Sequence, residues 1–269
     1  MTTIIIDLKS KIIAADSRTN LNGKEDDNFS IFFDGAANDK IIFLEKYGLV
    51  FCFAGHGPTG ISWKKWLLNE SVNFPAYPQI MRKMSLDGYP EDYLGAIIFV
   101  VDLNKSDPEI IVGDRRLINY SGNGDAIFIG TGKKFAQEEW EKSYSAIKSI
   151  QFSAEKDIKT GGPIKYIKFS DFENNLSKTH INHCEQRRLF RTAGMVVYEE
   201  NLQKKIPASL EAARNAIIEI RLKEQDDLAT TMDPNSDYPT SASIKPVWPE
   251  CEKVRVEELL RRLMPDRFQ

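Results

Sequence analysis

Four short apolar runs come before the first stretch of helical spacing, and that order confines the chain to folds that open with a sheet. Ile4, Ile6 and Leu8 alternate with Ile5 and Asp7; Ser10 and Lys11 interrupt, and residues 12–15 resume the run, which predicts a hairpin. A second pair is expected over 39–44 and 49–54, separated by Glu45-Lys46-Tyr47-Gly48 and followed by the turn-forming Gly55-His56-Gly57-Pro58. Thr59 or Ser62 is suited to cap a helix whose large apolar groups, Trp63, Trp66, Leu67 and Leu68, share one face. Strand signals return at 94–103, 109–112 and 126–130. Helical composition continues over 133–142 and 144–156, where Ala146, Ile147, Ile150, Phe152 and Ala154 form a stripe. Gly161, Gly162 and Pro163 stop it, and Ile164, Tyr166, Ile167 and Phe169 predict one more strand. Strands, helix, strands, helices, strand is the order of an α+β protein with helices layered on antiparallel sheets, not of regular βαβ winding.

The pattern weakens beyond residue 170. A helix is expected over 207–228, with Pro207 at its start and Leu210, Ala213, Ile217, Ile218 and Ile220 on its apolar side. Residues 229–249 contain four prolines among Ser, Thr, Asp and Asn and read as a linker. Val254, Val256, Leu259, Leu260 and Leu263 then mark a short amphipathic helix over about 252–264. The 269 residues suffice for one large domain or one with an appendage. A formal charge of -3 argues against a nucleic-acid partner held by bulk charge. Three dispersed cysteines, Cys52, Cys184 and Cys251, in no CxxC pairing, argue against a disulfide framework or zinc knuckle and for a reducing compartment. The first apolar run breaks at Asp7, has no basic leader, and falls far short of the roughly 20 residues that span a bilayer, so the expected location is the cytoplasm and no membrane partner is expected.

Chemistry is suggested first by position. Removal of Met1 would leave Thr2 with a hydroxyl and a free α-amine on one residue. A threonine hydroxyl is a poor nucleophile until a base takes its proton, and an α-amine of reference pKa about 7.7–8.0 suits that task. Many chains begin Met-Thr, so the weight rests on three later segments: Ile12-Ile13-Ala14-Ala15-Asp16-Ser17-Arg18 on the second expected strand, Lys40 at the start of the third, and Ala54-Gly55 after the fourth. Taken singly, Asp16 and Lys40 read as a solvated turn pair, and Ser17 as the completion of a turn.

In that order these segments resemble the proteasome β-type subunits and the threonine peptidase of the bacterial ATP-dependent two-component protease, both N-terminal nucleophile hydrolases; a bacterial proteasome homologue is one form the resemblance could take. It implies Thr2 as nucleophile, Asp16 and Lys40 as its charged neighbours, the Gly55 N–H as oxyanion donor, and Arg18 as a supporting residue. A lysine kept cationic by an aspartate would favour loss of the hydroxyl proton and leave the amine free as base. Gly130-Thr131-Gly132 and Asp157-Ile158-Lys159-Thr160-Gly161-Gly162 are similar to the family's distal motifs, with Thr131 and Thr160 standing where serine is usual; Asp157 and these hydroxyls would help orient the terminal threonine.

The resemblance covers residues 2–169 and implies a four-layer αββα sandwich of two antiparallel sheets, with 170–269 as a C-terminal extension that departs from the relatives' short ending. It implies no cofactor and no metal. It further implies a peptide or unfolded-protein substrate, a double homo-oligomeric ring of hexameric or heptameric order, and an unidentified ATP-dependent unfoldase. His180, His183 and Cys184 have metal-like spacing without an evident fourth ligand. His56 reads as a turn residue and Cys52, between Phe51 and Phe53, as a core thiol. Two other functions fit the same segments: an amidase acting on small molecules or few peptides, and a silent ring subunit like the proteasome α type, which a retained Met1 would favour.

Overall fold

The computed structural model describes residues 2–21, 28–35, 39–55, 57–75, 77–78, 80–84, 90–177, 183–230 and 247–268. In chain order the strands and helices are β1 (Thr3–Asp7), β2 (Ile12–Ala15), β3 (Arg18–Asn20), β4 (Phe29–Asp34), β5 (Ile41–Leu44), β6 (Leu49–Gly55), α1 (Gly57–Leu67), β7 (Ile80–Met84) and β8 (Pro90–Leu94). Then come β9 (Ala96–Asp102), β10 (Asp107–Gly113), β11 (Ile118–Tyr120), β12 (Ala126–Gly130), α2 (Lys133–Ser143), α3 (Ala146–Lys156) and β13 (Lys165–Lys168). The last part holds α4 (His183–Ala193), β14 (Met195–Tyr198), β15 (Asn201–Pro207), α5 (Ala208–Ala212), α6 (Ala216–Thr230) and α7 (Glu250–Leu263).

The Ile-Ile-Ile start of the chain becomes the middle of a five-stranded antiparallel sheet ordered β11-β12-β1-β2-β13. All of β1 is buried because both faces of the sheet are covered. Successive side chains of a strand point to opposite faces. Ile4, Ile6, Ile13, Ala15, Ile127 and Ile129 accordingly pack against Ile41, Val50, Cys52, Ile97 and Phe99 of a second sheet, ordered β10-β9-β6-β5. On the other face, Ile5, Ala14 and Phe128 pack against Ala136 and Trp140 of α2 and Ala146 and Ile150 of α3. The outer face of the second sheet, with Phe51, Phe53, Ile98 and Val100, is covered by Trp63, Trp66 and Leu67 of α1 and by Val256 and Leu260 of α7.

A further sheet was not foreseen. Strands β3 and β4 join β14 and β15 in the order β15-β14-β4-β3, where two sheets had been expected. Leu21, Ile31, Phe33 and Val196 pack there against Phe190 of α4, Ala208, and Ile218 and Leu222 of α6. Six strands among the described residues therefore precede α1, not four. Thr59 and Ser62 lie inside α1, which starts at Gly57, and not at the position before its first residue. The helix expected over 207–228 is broken into α5 and α6, and this rotates Leu210, Ile217 and Ile220 into solvent at about half exposure, 47%, 51% and 52%. The third sheet takes strands from both sides of residue 170, while α7 returns to the second sheet. Most of the expected linker, 231–246, lies outside the described residues. No helix among the described residues is long and apolar enough to cross a membrane.

Candidate functional site

The first two sheets end together at one place. Pairing of Thr3 with Gly130 and of Ile4 with Ala15 sets Thr2, Asp16 and Thr131 at one end of the first sheet. Lys40 precedes β5 and its carbonyl accepts from the Phe53 N–H at 2.9 Å, so Lys40 and Gly55 share an end of the second sheet. The two ends meet where the Lys40 ammonium donates to Asp16 Oδ1 at 2.7 Å.

Asp16 is fully buried, and a carboxylate so far from water survives only when donors replace its hydration. It has four: the Thr3 N–H at 2.7 Å and Lys40 on Oδ1, and the Arg18 N–H at 3.2 Å and Gly161 N–H at 3.1 Å on Oδ2. The Thr3 nitrogen belongs to the peptide bond that leaves Thr2. One carboxylate oxygen thus holds both the lysine and the backbone of the candidate nucleophile.

The other side of that peptide is held by the Gly-Thr-Gly triplet. The Thr131 N–H donates to the Thr2 carbonyl at 2.9 Å. Gly130 has φ of 100°, and a Cβ there would stand 1.8 Å from the Thr2 oxygen, so no other residue permits the approach. A Cβ on Gly132 would lie 2.2 Å from Thr3 Oγ1. Behind the triplet runs a chain of hydroxyls. Thr131 and Thr160 each donate to Asp157 Oδ2 at 2.7 Å, and Thr160 Oγ1 lies 2.7 Å from Thr3 Oγ1. A hydroxyl has one hydrogen; with that of Thr160 committed to Asp157, Thr3 must be the donor to Thr160. Thr3 was not singled out from the sequence. Its signal was the period of two, which puts it on the face opposite Thr2.

Arg18 is 5% exposed and organises the loop that supplies Thr160 and Gly161. Its guanidinium makes a two-pronged contact with Asp34 at 2.8 and 3.0 Å, donates to the Ile158 carbonyl at 3.0 Å, and lies over the Phe32 ring at 3.7 Å. A Cβ on Gly161 would fall 2.5 Å from that guanidinium. Asp34 is a second residue the sequence did not mark; it stands opposite Arg18 in the β3–β4 pair, and β14 flanks the other side of that strand. Ser17 is fully buried, and its Oγ has no hydrogen-bond partner among the described residues.

Burial is the largest influence on Lys40 and pushes its pKa below the ordinary lysine value of 10.5; Asp16 opposes this by charge and hydrogen bond. The expected aspartate-held cation is therefore less firmly charged than a surface lysine. Gly55 closes β6 with φ of 103°, and a Cβ there would meet the Gly95 carbonyl at 2.2 Å, so the ladder with β9 requires glycine. Cys52 is buried and its thiol is pushed far above its usual range, which makes it inert. Met1, His56 and His180, and the side chains of His183 and Cys184, lie outside the described residues. Among the described residues no group of three or more His, Cys, Asp or Glu is gathered as for a metal ion.

No protein-family model matches the chain, and no curated protein matches it. Among solved structures, one named Thiobacillus denitrificans BPH is similar over 64% of this chain and 100% of its own, with 14% identity and a TM-score of 0.39. That likeness is too slight to carry an argument about this chain.

Proposed function

We propose that the chain is a threonine-type amide hydrolase of the N-terminal nucleophile class, acting on peptide substrates, with its two face-packed sheets and their covering helices forming that class's sandwich. The observation that carries the reading is the shared oxygen: Asp16 Oδ1 accepts from Lys40 and from the amide following Thr2, both at 2.7 Å. The Thr131 contact on the Thr2 carbonyl and the buried Asp157–Thr160–Thr3 chain support the same centre.

In this reading Met1 is removed, and the freed α-amine takes the Thr2 hydroxyl proton as the oxygen attacks a substrate carbonyl. Lys40 steadies the developing negative charge, and the Gly55 N–H stabilises the tetrahedral oxyanion, a contribution of about 3–4 kcal/mol for one such donor. The amine then returns its proton to the leaving nitrogen. Water, activated by the same amine, releases the acyl group and restores Thr2. No metal or organic cofactor enters these steps. The resemblance of the sequence motifs extends the proposal to a homo-oligomeric ring enclosing its sites, served by an ATP-dependent unfoldase.

Two measurements on the purified protein test it. Intact mass is expected to lack the initiator methionine, and an electrophile selective for terminal threonine should leave one adduct, mapped to Thr2. A protein without Met1 that takes no label at Thr2 overturns the reading; retained Met1 points to a silent structural subunit instead.

A further inference from the structure

Beside Lys40 lies a second buried carboxylate that the steps above leave unused. Asp39 is 1% exposed. Its carboxylate accepts from the Ser177 N–H, approaches Ser177 Oγ at 3.5 Å, and pairs with the Lys165 ammonium at 3.4 Å. Its carbonyl accepts from the ammonium of Lys64, a buried α1 residue whose pKa is pushed down to about 8, chiefly by burial. Lys165 also donates to the Asn175 carbonyl at 3.1 Å and to Ser177 Oγ at 3.0 Å, tying 175–177 to β13.

These bonds converge on the backbone just before Lys40, while β6 holds the Lys40 carbonyl through Phe53. The residue is therefore fixed from three directions: α1, β6, and the segment after β13. Fixation matters for lysine, whose four-carbon stem has many rotamers and loses much freedom when one is selected. A carboxylate as buried as Asp39 keeps its place only with its donors, so the segment and Asp39 determine each other's position.

We propose that Asp39 is a positioning residue through which residues 175–177, in the part of the chain beyond the family resemblance, hold Lys40 on Asp16. The catalytic consequence rests on the threonine-hydrolase reading; the placement of Lys40 does not, and can be measured without turnover.

The test compares full-length wild type, Asp39→Ala, Asp39→Asn and Asp7→Ala. Asp7 is equally buried, accepts from the Ser10 N–H and Trp140 Nε1 at 2.8 Å each, and sits at the far end of β1, so it controls for general loss of a buried carboxylate. Reductive methylation with formaldehyde, quantified at Lys40 by peptide mass spectrometry, reads its protection; adduct formation at Thr2 reads reactivity. With a brace of several buried hydrogen bonds removed, Asp39→Ala should speed Lys40 methylation and slow Thr2 labelling by about tenfold or more each. Asp39→Asn, whose side-chain oxygen still accepts from Ser177, and Asp7→Ala should each stay within about threefold of wild type. Lys40 as protected in Asp39→Ala as in wild type, or exposed equally by Asp7→Ala, overturns the proposal. Should Asp39→Ala fail to fold, Lys165→Met carries the same comparison, with Lys40 methylation expected to rise about fivefold or more and a rate within about threefold of wild type counting as refutation. If Lys40 is freed as expected but wild-type Thr2 never labels, the brace stands and the hydrolase reading falls.

Discussion

Thr2→Ala is expected to remove amide hydrolysis and adduct formation altogether, a loss on the order of 10⁴-fold or more, as when the nucleophile of an acyl-transfer enzyme is deleted. The fold should not notice. Among the described residues, the hydrogen bonds that seat this residue are made by the main chain, its carbonyl with Thr131 and the next amide with Asp16, and alanine preserves them. The thermal midpoint should therefore remain within about 2 °C of wild type. Thr2→Ser, which keeps the hydroxyl, should retain activity within about tenfold. Hydrolysis that survives in Thr2→Ala would assign the chemistry elsewhere. A fall in midpoint would instead show that the side chain has a structural task.

Asp16→Ala should damage stability and chemistry together. Four donors lose their acceptor, and one of them is the Lys40 ammonium, whose side chain is only 8% exposed. Breaking a buried ion pair from one side typically costs about 3–5 kcal/mol, because the remaining charge has neither partner nor water. For a chain of this size that corresponds to about 10 °C in thermal midpoint. Thr2 labelling should fall at least as far as in Lys40→Ala, since the Thr2–Thr3 peptide is released as well as the lysine. Asp16→Asn keeps the size and one acceptor oxygen, and so should recover part of the stability but little of the labelling. Calorimetry beside labelling separates the two effects, and an Asp16→Ala protein that melts with wild type would show that the four donors find water.

What the sequence disclosed about this site came from two sources. Period-two alternation located β1 and β2, and the motif resemblance singled out Asp16, Lys40, Thr131, Asp157 and Thr160; the close approaches of Gly130 to Thr2 and of Gly161 to Arg18 emerge only in the structure. Asp34 and Asp39 were not legible, for two reasons. Asp34 gains its role by standing opposite Arg18 across β3 and β4, and β3 gives no sequence signal; Asp39 gains its role from Lys165 and Ser177, far along the chain. Arg18–Asn20 is too short and polar to announce itself as a strand, so β3 and the sheet it edges went unseen. The break between α5 and α6 was hidden by an apolar pattern that reads equally well as one helix, although Leu210, Ile217 and Ile220 face solvent. Ser17, expected at a turn, is buried among backbone that the Gly161 carbonyl organises.

The shared sheet of β3, β4, β14 and β15 also sets a timetable. Phe29–Asp34 has β3 as an early neighbour but cannot acquire its other one until Met195–Tyr198 has left the ribosome, and closing a loop of that span is entropically costly and slow. Asp34 steadies Arg18, and Arg18 steadies the loop that completes the donors around Asp16. A nascent chain that has emerged only as far as β13 has every residue of the Arg18–Asp34 pair and of the four donors around Asp16, but it lacks Ser177, which anchors Asp39, and the two strands that complete the third sheet.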